Sequence, residues 1–152
     1  MPYPAAMPGN KLYKISEAFD IVKGWWSFGN LAQFSYNLNI ADKKLIEAKT
    51  LFEYKQYLLA ANALPQYTLH LDLAQQALKK AKKEGKDISK KQILFLQAID
   101  AHREILEQIQ QETPENFLWQ PEKQKPQTIK IRKLLKDAIE SGRNIEMEET
   151  SV

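Results

Sequence analysis

Three stretches of the chain carry apolar residues at alternating three- and four-residue steps. The first is Leu31, Phe34, Leu38, Ala41, Leu45, Ala48 and Phe52. The second is Ala60, Leu64, Tyr67, Leu71, Ala74, Leu78 and Ala81, and the third is Ile88, Gln92, Phe95, Ile99, His102, Leu106 and Ile109. This spacing keeps one stripe of a helix turned toward a partner helix. Three such stripes with short breaks between them predict an all-α fold, an antiparallel bundle of four to five helices. With five glycines the chain is poor in the turns that an all-β or α/β fold requires.

The boundaries follow from local signals. Pro2, Pro4, Pro8 and Gly9 make residues 1–9 an extended, proline-rich lead. Asn10 suits an N-cap for a helix over about 11–26, with Leu12, Ile15, Phe19 and Val22 on one side. That helix runs into an aromatic cluster of Trp25, Trp26 and Phe28, after which Ser27 or Asn30 can cap a helix over about 30–54. Lys55-Gln56 forms a tight turn, and a third helix covers about 57–84. Pro65 inside it predicts a kink or a break near Ala61 to Leu64. Gly85 closes that helix beside a lysine-rich last turn, which suits the helix dipole. Asp87 or Ser89 caps a fourth helix over 88–112, which stops before Thr113-Pro114.

Residues 114–127 hold Pro114, Pro121 and Pro126 without periodicity and read as a loop, pinned to the bundle by Phe117, Leu118 and Trp119. A final helix over about 128–141 offers Ile131, Leu134, Leu135 and Ala138, and Gly142 ends it. The organisation expected is one bundle domain over 10–142 and a frayed acidic tail over 143–152.

Composition excludes several classes. The chain has 152 residues, no cysteine and a charged fraction of 27%. Disulfides, thiolate zinc sites and cysteine nucleophiles are absent, and no window approaches the roughly 18 apolar residues of a membrane span. No signal peptide is visible. Met1 before Pro2-Tyr3-Pro4 is an unusual natural start, and the expectation is that a signal or anchor lies upstream in a longer protein.

Chemistry is sparse. His70 follows Tyr67 and His102 follows Ile99 by three residues, so neither completes the Glu-x-x-His pair of a helical di-iron site. His102 lies on the apolar stripe and reads as a core histidine with a hydrogen-bond partner. Asp100 and Glu104 point elsewhere on that helix. The metalloprotease, P-loop, dinucleotide and nucleophile-elbow motifs are missing. No catalytic residue, metal or cofactor is expected, and the protein is read as no enzyme.

Two basic groups stand out: Lys79, Lys80, Lys82, Lys83, Lys86, Lys90 and Lys91, and Lys123, Lys125, Lys130, Arg132, Lys133 and Lys136. With a net charge of +3, few arginines and its aromatics on core stripes, the chain does not fit the usual nucleic-acid binder. The bland reading of both groups is a solvated helix end and a solvated face. The partner-binding candidates are Trp25, Trp26, Phe28 and Trp119, whose rings otherwise cap the core.

The order of these features resembles an uncharacterised bacterial and archaeal domain family of unknown function found in exported or membrane-anchored proteins. The matching positions begin with Pro8, Gly9, Leu12 and Tyr13, followed by the corner Trp26-Ser27-Phe28-Gly29. Gly29 departs from the family's usual acid there. Next come Ala41-Asp42-Lys43-Lys44-Leu45-Ile46-Glu47-Ala48, His102 with Leu106 and Glu107, Pro114, and Ala138 to Gly142. The resemblance covers about Pro4 to Gly142. It implies a secreted or anchored location outside the cytoplasmic membrane and supplies no activity. The expected function is an extracytoplasmic helical module that binds a protein or envelope component, tied to the membrane only through an anchor absent from this chain. It would be a monomer or weak homo-oligomer. The alternatives are a self-associating structural protein and a weakly basic cytoplasmic nucleic-acid binder.

Overall fold

A computed structural model describes residues 29–151 of the chain. Four helices occur among the described residues: α1 (Asn30–Glu53), α2 (Tyr57–Lys83), α3 (Ser89–Glu112) and α4 (Ile131–Thr150). Two short antiparallel strands, β1 (Phe117–Trp119) and β2 (Gln127–Ile129), join α3 to α4. The proline-rich lead, the 11–26 helix and the Trp25, Trp26 and Phe28 cluster lie outside the described residues.

The three stripes become the core. Every member of the second stripe is buried, and so are Phe34 to Phe52 of the first and Ile88, Phe95, Ile99, Leu106 and Ile109 of the third. Two short turns, and the longer segment that carries β1 and β2, make the helices run up, down, up and down. The tightest pairing is α1 with α2, while α4 lies beside α2 and α3. The α1 and α3 helices meet through Phe34 and Phe95, whose rings stand edge to face at 5.4 Å.

Both ends of the α1–α2 hairpin show how local sequence sets a helix boundary. At the end of α1, Lys55 N–H donates to the Phe52 carbonyl and Gln56 N–H to that of Leu51. At the end of α2, Gly85 N–H donates to Lys82 and Lys86 N–H to Ala81 in the same pattern. This is the Schellman arrangement, and it requires a left-handed residue just past the helix. Gly85 adopts φ +75° freely, whereas Lys55 adopts +58° with a side chain in place.

Three expectations change. First, α2 runs unbroken through Pro65. The proline removes only the N–H that would reach the Ala61 carbonyl, and burial on both sides of it (Ala60, Ala63, Leu64, Tyr67) holds the helix together. Second, the 114–127 segment is not all loop: β1 and β2 pair with Phe117 opposite Ile129, Leu118 opposite Thr128 and Trp119 opposite Gln127. Third, α4 passes through Gly142 to Thr150, so 143–150 is helical rather than a frayed tail. Gly142 is buried against Ile99, and the acidic residues beyond it find partners on other helices. At the start of α3 the cap also differs from expectation: Ile88 holds the N-cap position without a side-chain cap bond, and Asp87 just before it accepts from Ser89 N–H at 3.0 Å in a local turn. The cap of α1 is Gly29, and Asn30 instead donates its side chain to Glu84 across the bundle end.

Candidate functional site

The strand pair sits at the end of the bundle where α1 stops and α2 begins. Strand alternation turns Phe117 and Leu118 in opposite directions. Phe117 faces inward and packs its ring 5.0 Å from that of Tyr57, which in turn stacks near Phe52. Ile129, opposite Phe117, is also packed on the core. Arg132 N–H donates to the Glu115 carbonyl and closes the base of the hairpin. Leu118 points outward and is 53% exposed, so it does not pin the segment as its neighbour Phe117 does. Trp119 is half-buried beside it. The hairpin is thus anchored by one ring and presents an apolar side chain on its open face. Of the four candidate binding residues, Trp119 alone falls among the described ones; Trp25, Trp26 and Phe28 lie outside them.

A second locus is polar and runs from the core to the surface, where the Asp42 side chain is 45% exposed. His102 is 6% exposed and joins three helices. Its Nε2–H donates to Asp42 Oδ1 at 2.7 Å. Nδ1 is left to accept from the Tyr67 hydroxyl at 3.4 Å, with the two rings edge to face at 5.4 Å. Burial, and then the negative charge of Asp42, push the Tyr67 hydroxyl above its ordinary range. The core-histidine expectation holds, but its main partner is Asp42 on α1, which the sequence reading did not single out. The signal lay in the histidine: buried on a stripe with no local partner, it demands one from another helix. The gap beside Tyr67, lined by Ile99, Leu106, Ala138 and Gly142, is too narrow to admit water. Both ring nitrogens of His102 are engaged. Further along the bundle, His70 Nδ1 on α2 donates to Asn37 Oδ1 on α1 at 3.0 Å.

Between α2 and α4 an open groove of about 390 Å³ is lined by acids, among them Asp72, Asp137, Glu140 and Glu148. Burial, and then the charge of Glu148, raise the Asp72 carboxyl. A hydrogen bond from Lys79 lowers that of Glu148. Among the described residues no group of three or more potential ligands is placed to hold a metal ion. No helix of the described residues is long and apolar enough to cross a membrane.

The basic groups differ in their surroundings. At the α2–α3 end, Lys79 pairs with Glu148, Lys86 with Glu84, and Lys91 donates to Ser35. At the hairpin end, Lys136 pairs with Glu140 at 3.8 Å.

A family profile described as a domain of unknown function (DUF5667) matches residues 5–116 of the chain. It takes in α1, α2, α3 and His102, and stops before β1, β2 and α4. The sequence resemblance had extended to Gly142, so the profile supports its larger part and not the final helix. No curated protein matches the chain, and no solved structure does.

Proposed function

The chain belongs to the DUF5667 family, a domain of unknown function, and from that premise we propose that it is a non-enzymatic helical module that binds a protein or envelope component outside the cytoplasmic membrane. The observation that carries this reading is the hairpin at the bundle end, where Leu118 stands 53% exposed beside the half-buried Trp119. Isolated exposed apolar residues are common, but here the residue rides on a two-stranded ribbon held by a ring–ring anchor. Such a platform can take a partner segment along its open strand edge or over its outer face. The non-enzymatic part is supported by the engagement of both His102 ring nitrogens with Asp42 and Tyr67 and by the narrowness of the gap beside Tyr67. The extracytoplasmic part rests on the residue order shared with exported and anchored domains.

The test is in-cell crosslinking with Trp119→Ala, Leu118→Ala and Trp25→Ala variants, alongside protease accessibility of the native protein in intact spheroplasts. The expected result is external cleavage and loss of a crosslinked partner from at least one folded variant. Variants that stay folded and keep every partner overturn the reading, and protection until lysis overturns the location.

Self-association is the second reading. Ile93 and Leu94 on α3 are 58% and 47% exposed, adjacent apolar side chains that a second copy would cover. Light scattering that finds a monomer up to high concentration removes it.

A further inference from the structure

The stretch from Glu115 to Lys136 carries six cations and two carboxylates, a surplus of four on a chain whose net charge is +3. The rest of the protein is therefore slightly acidic. Five of these cations, Lys123, Lys125, Lys130, Arg132 and Lys133, are exposed and take part in no ion pair among the described residues. The opposite end of α4 is the reverse case: Glu146 is paired with Arg103, Glu148 with Lys79, and Glu149 accepts from Gln92.

The placement of the cations is also unfavourable for the helix that bears them. Lys130, Arg132 and Lys133 lie at the N-terminal turn of α4, where the helix dipole disfavours positive charge. No acidic residue occupies that turn. Among the described residues nothing offsets this arrangement. The same hairpin carries the outward-facing Leu118, and the half-buried Trp119 follows it on the same strand.

We infer that the hairpin and the first turn of α4 form a peripheral contact for an anionic lipid surface. Lysines outnumber arginine five to one in the stretch and are spread over a loop, a strand end and a helix start. Long flexible ammonium stems with no fixed geometry suit a diffuse field of phosphates better than a defined fork. Leu118, exposed opposite Thr128 on the hairpin whose loop carries Lys123 and Lys125, supplies the shallow apolar element of an interfacial contact. A nucleic-acid surface would call for arginine forks and free stacking rings, and Trp119 shares the inner strand face with Phe117. The inference rests on the same hairpin as the binding-module reading and narrows its envelope component to an anionic bilayer.

The test is cosedimentation of the whole chain with vesicles of phosphatidylcholine alone or with about a third phosphatidylglycerol. Binding is expected only to the anionic vesicles and is expected to weaken about tenfold or more between roughly 0.1 and 0.5 M salt. The Lys130→Glu/Arg132→Glu/Lys133→Glu variant should lose it, as should Lys123→Gln/Lys125→Gln, whose loop positions leave the helices untouched. Lys80→Glu/Lys82→Glu/Lys83→Glu, at the other end of the bundle, should keep it. Absence of vesicle binding, or equal loss in the far-end variant, overturns the inference, and so does retention on DNA without binding to vesicles. A Trp119-dependent protein crosslink without vesicle binding removes the lipid contact and leaves the binding-module reading in place; loss of both removes both.

Discussion

Tyr67 is the residue whose ionisation the fold opposes most clearly. It is 1% exposed, its hydroxyl faces His102, and its ionisation is held above the ordinary value of 10.0 by burial and by Asp42. A group with a raised folded-state value stabilises the protein fully below its unfolded value and loses that contribution as pH climbs above it. Stability should therefore fall as pH rises above about 10. Tyr67→Phe should flatten that alkaline limb in thermal melts, while costing about 1–2 kcal/mol at neutral pH because His102 Nδ1 loses its donor. Lys55 is a second informative residue. Its φ of +58° costs about 1 kcal/mol for a side-chain-bearing residue, partly offset by the entropy a glycine would lose. Lys55→Gly should raise the melting temperature by a few degrees at most. Neither the Tyr67–His102–Asp42 link nor the left-handed Lys55 was legible locally: the first joins residues 25 to 60 positions apart, and the second needed a glycine to announce it.

At the scale of elements, α4 departs most from expectation. A glycine at 142 followed by acids reads as a helix stop, yet the helix continues for two further turns. Its acids are held by Arg103, Lys79 and Gln92 from α2 and α3, which offset the unfavourable placement of negative charge at a helix C-terminus. Gly142 has an ordinary helical backbone, and an added Cβ would meet Ile99 Cγ2 at 3.5 Å, a normal contact. Gly142→Ala should accordingly stabilise the protein by about 0.5–1 kcal/mol, read as a shift in the denaturation midpoint with unchanged slope. Destabilisation would mean that the α3–α4 approach is tighter than this distance indicates. Pro65 shows the same principle from the other side, since packing on both flanks overrides a strong local breaker.

At the scale of the molecule, the family match ends at residue 116 while the core does not. Ile131, Leu135, Ile139 and Ile145 of α4 are buried, and α4 covers Tyr67, Ile99 and Leu106. Four such side chains contribute about 8 kcal/mol by burial, an upper figure. Domains of this kind have about 5–15 kcal/mol in total. A chain cut after Asn116 should therefore lose its cooperative melt and bind a hydrophobic dye. A sharp unchanged transition in that fragment would show that α4 is an accessory to the fold rather than a part of its core.

The stripes of α1, α2 and α3, the positions of the breaks at Lys55-Gln56 and Gly85, and the stop before Pro114 were all determined by sequence alone. Each depends on residues within one or two turns of one another, so periodicity and capping chemistry suffice. The continuity of α2 through Pro65, the extension of α4 beyond Gly142, the pairing of β1 with β2 and the choice of Asp42 as the partner of His102 were decided by the tertiary structure. Each rests on contacts between distant segments whose energy exceeds the local preference it overrides, and such contacts exist only once the helices have packed.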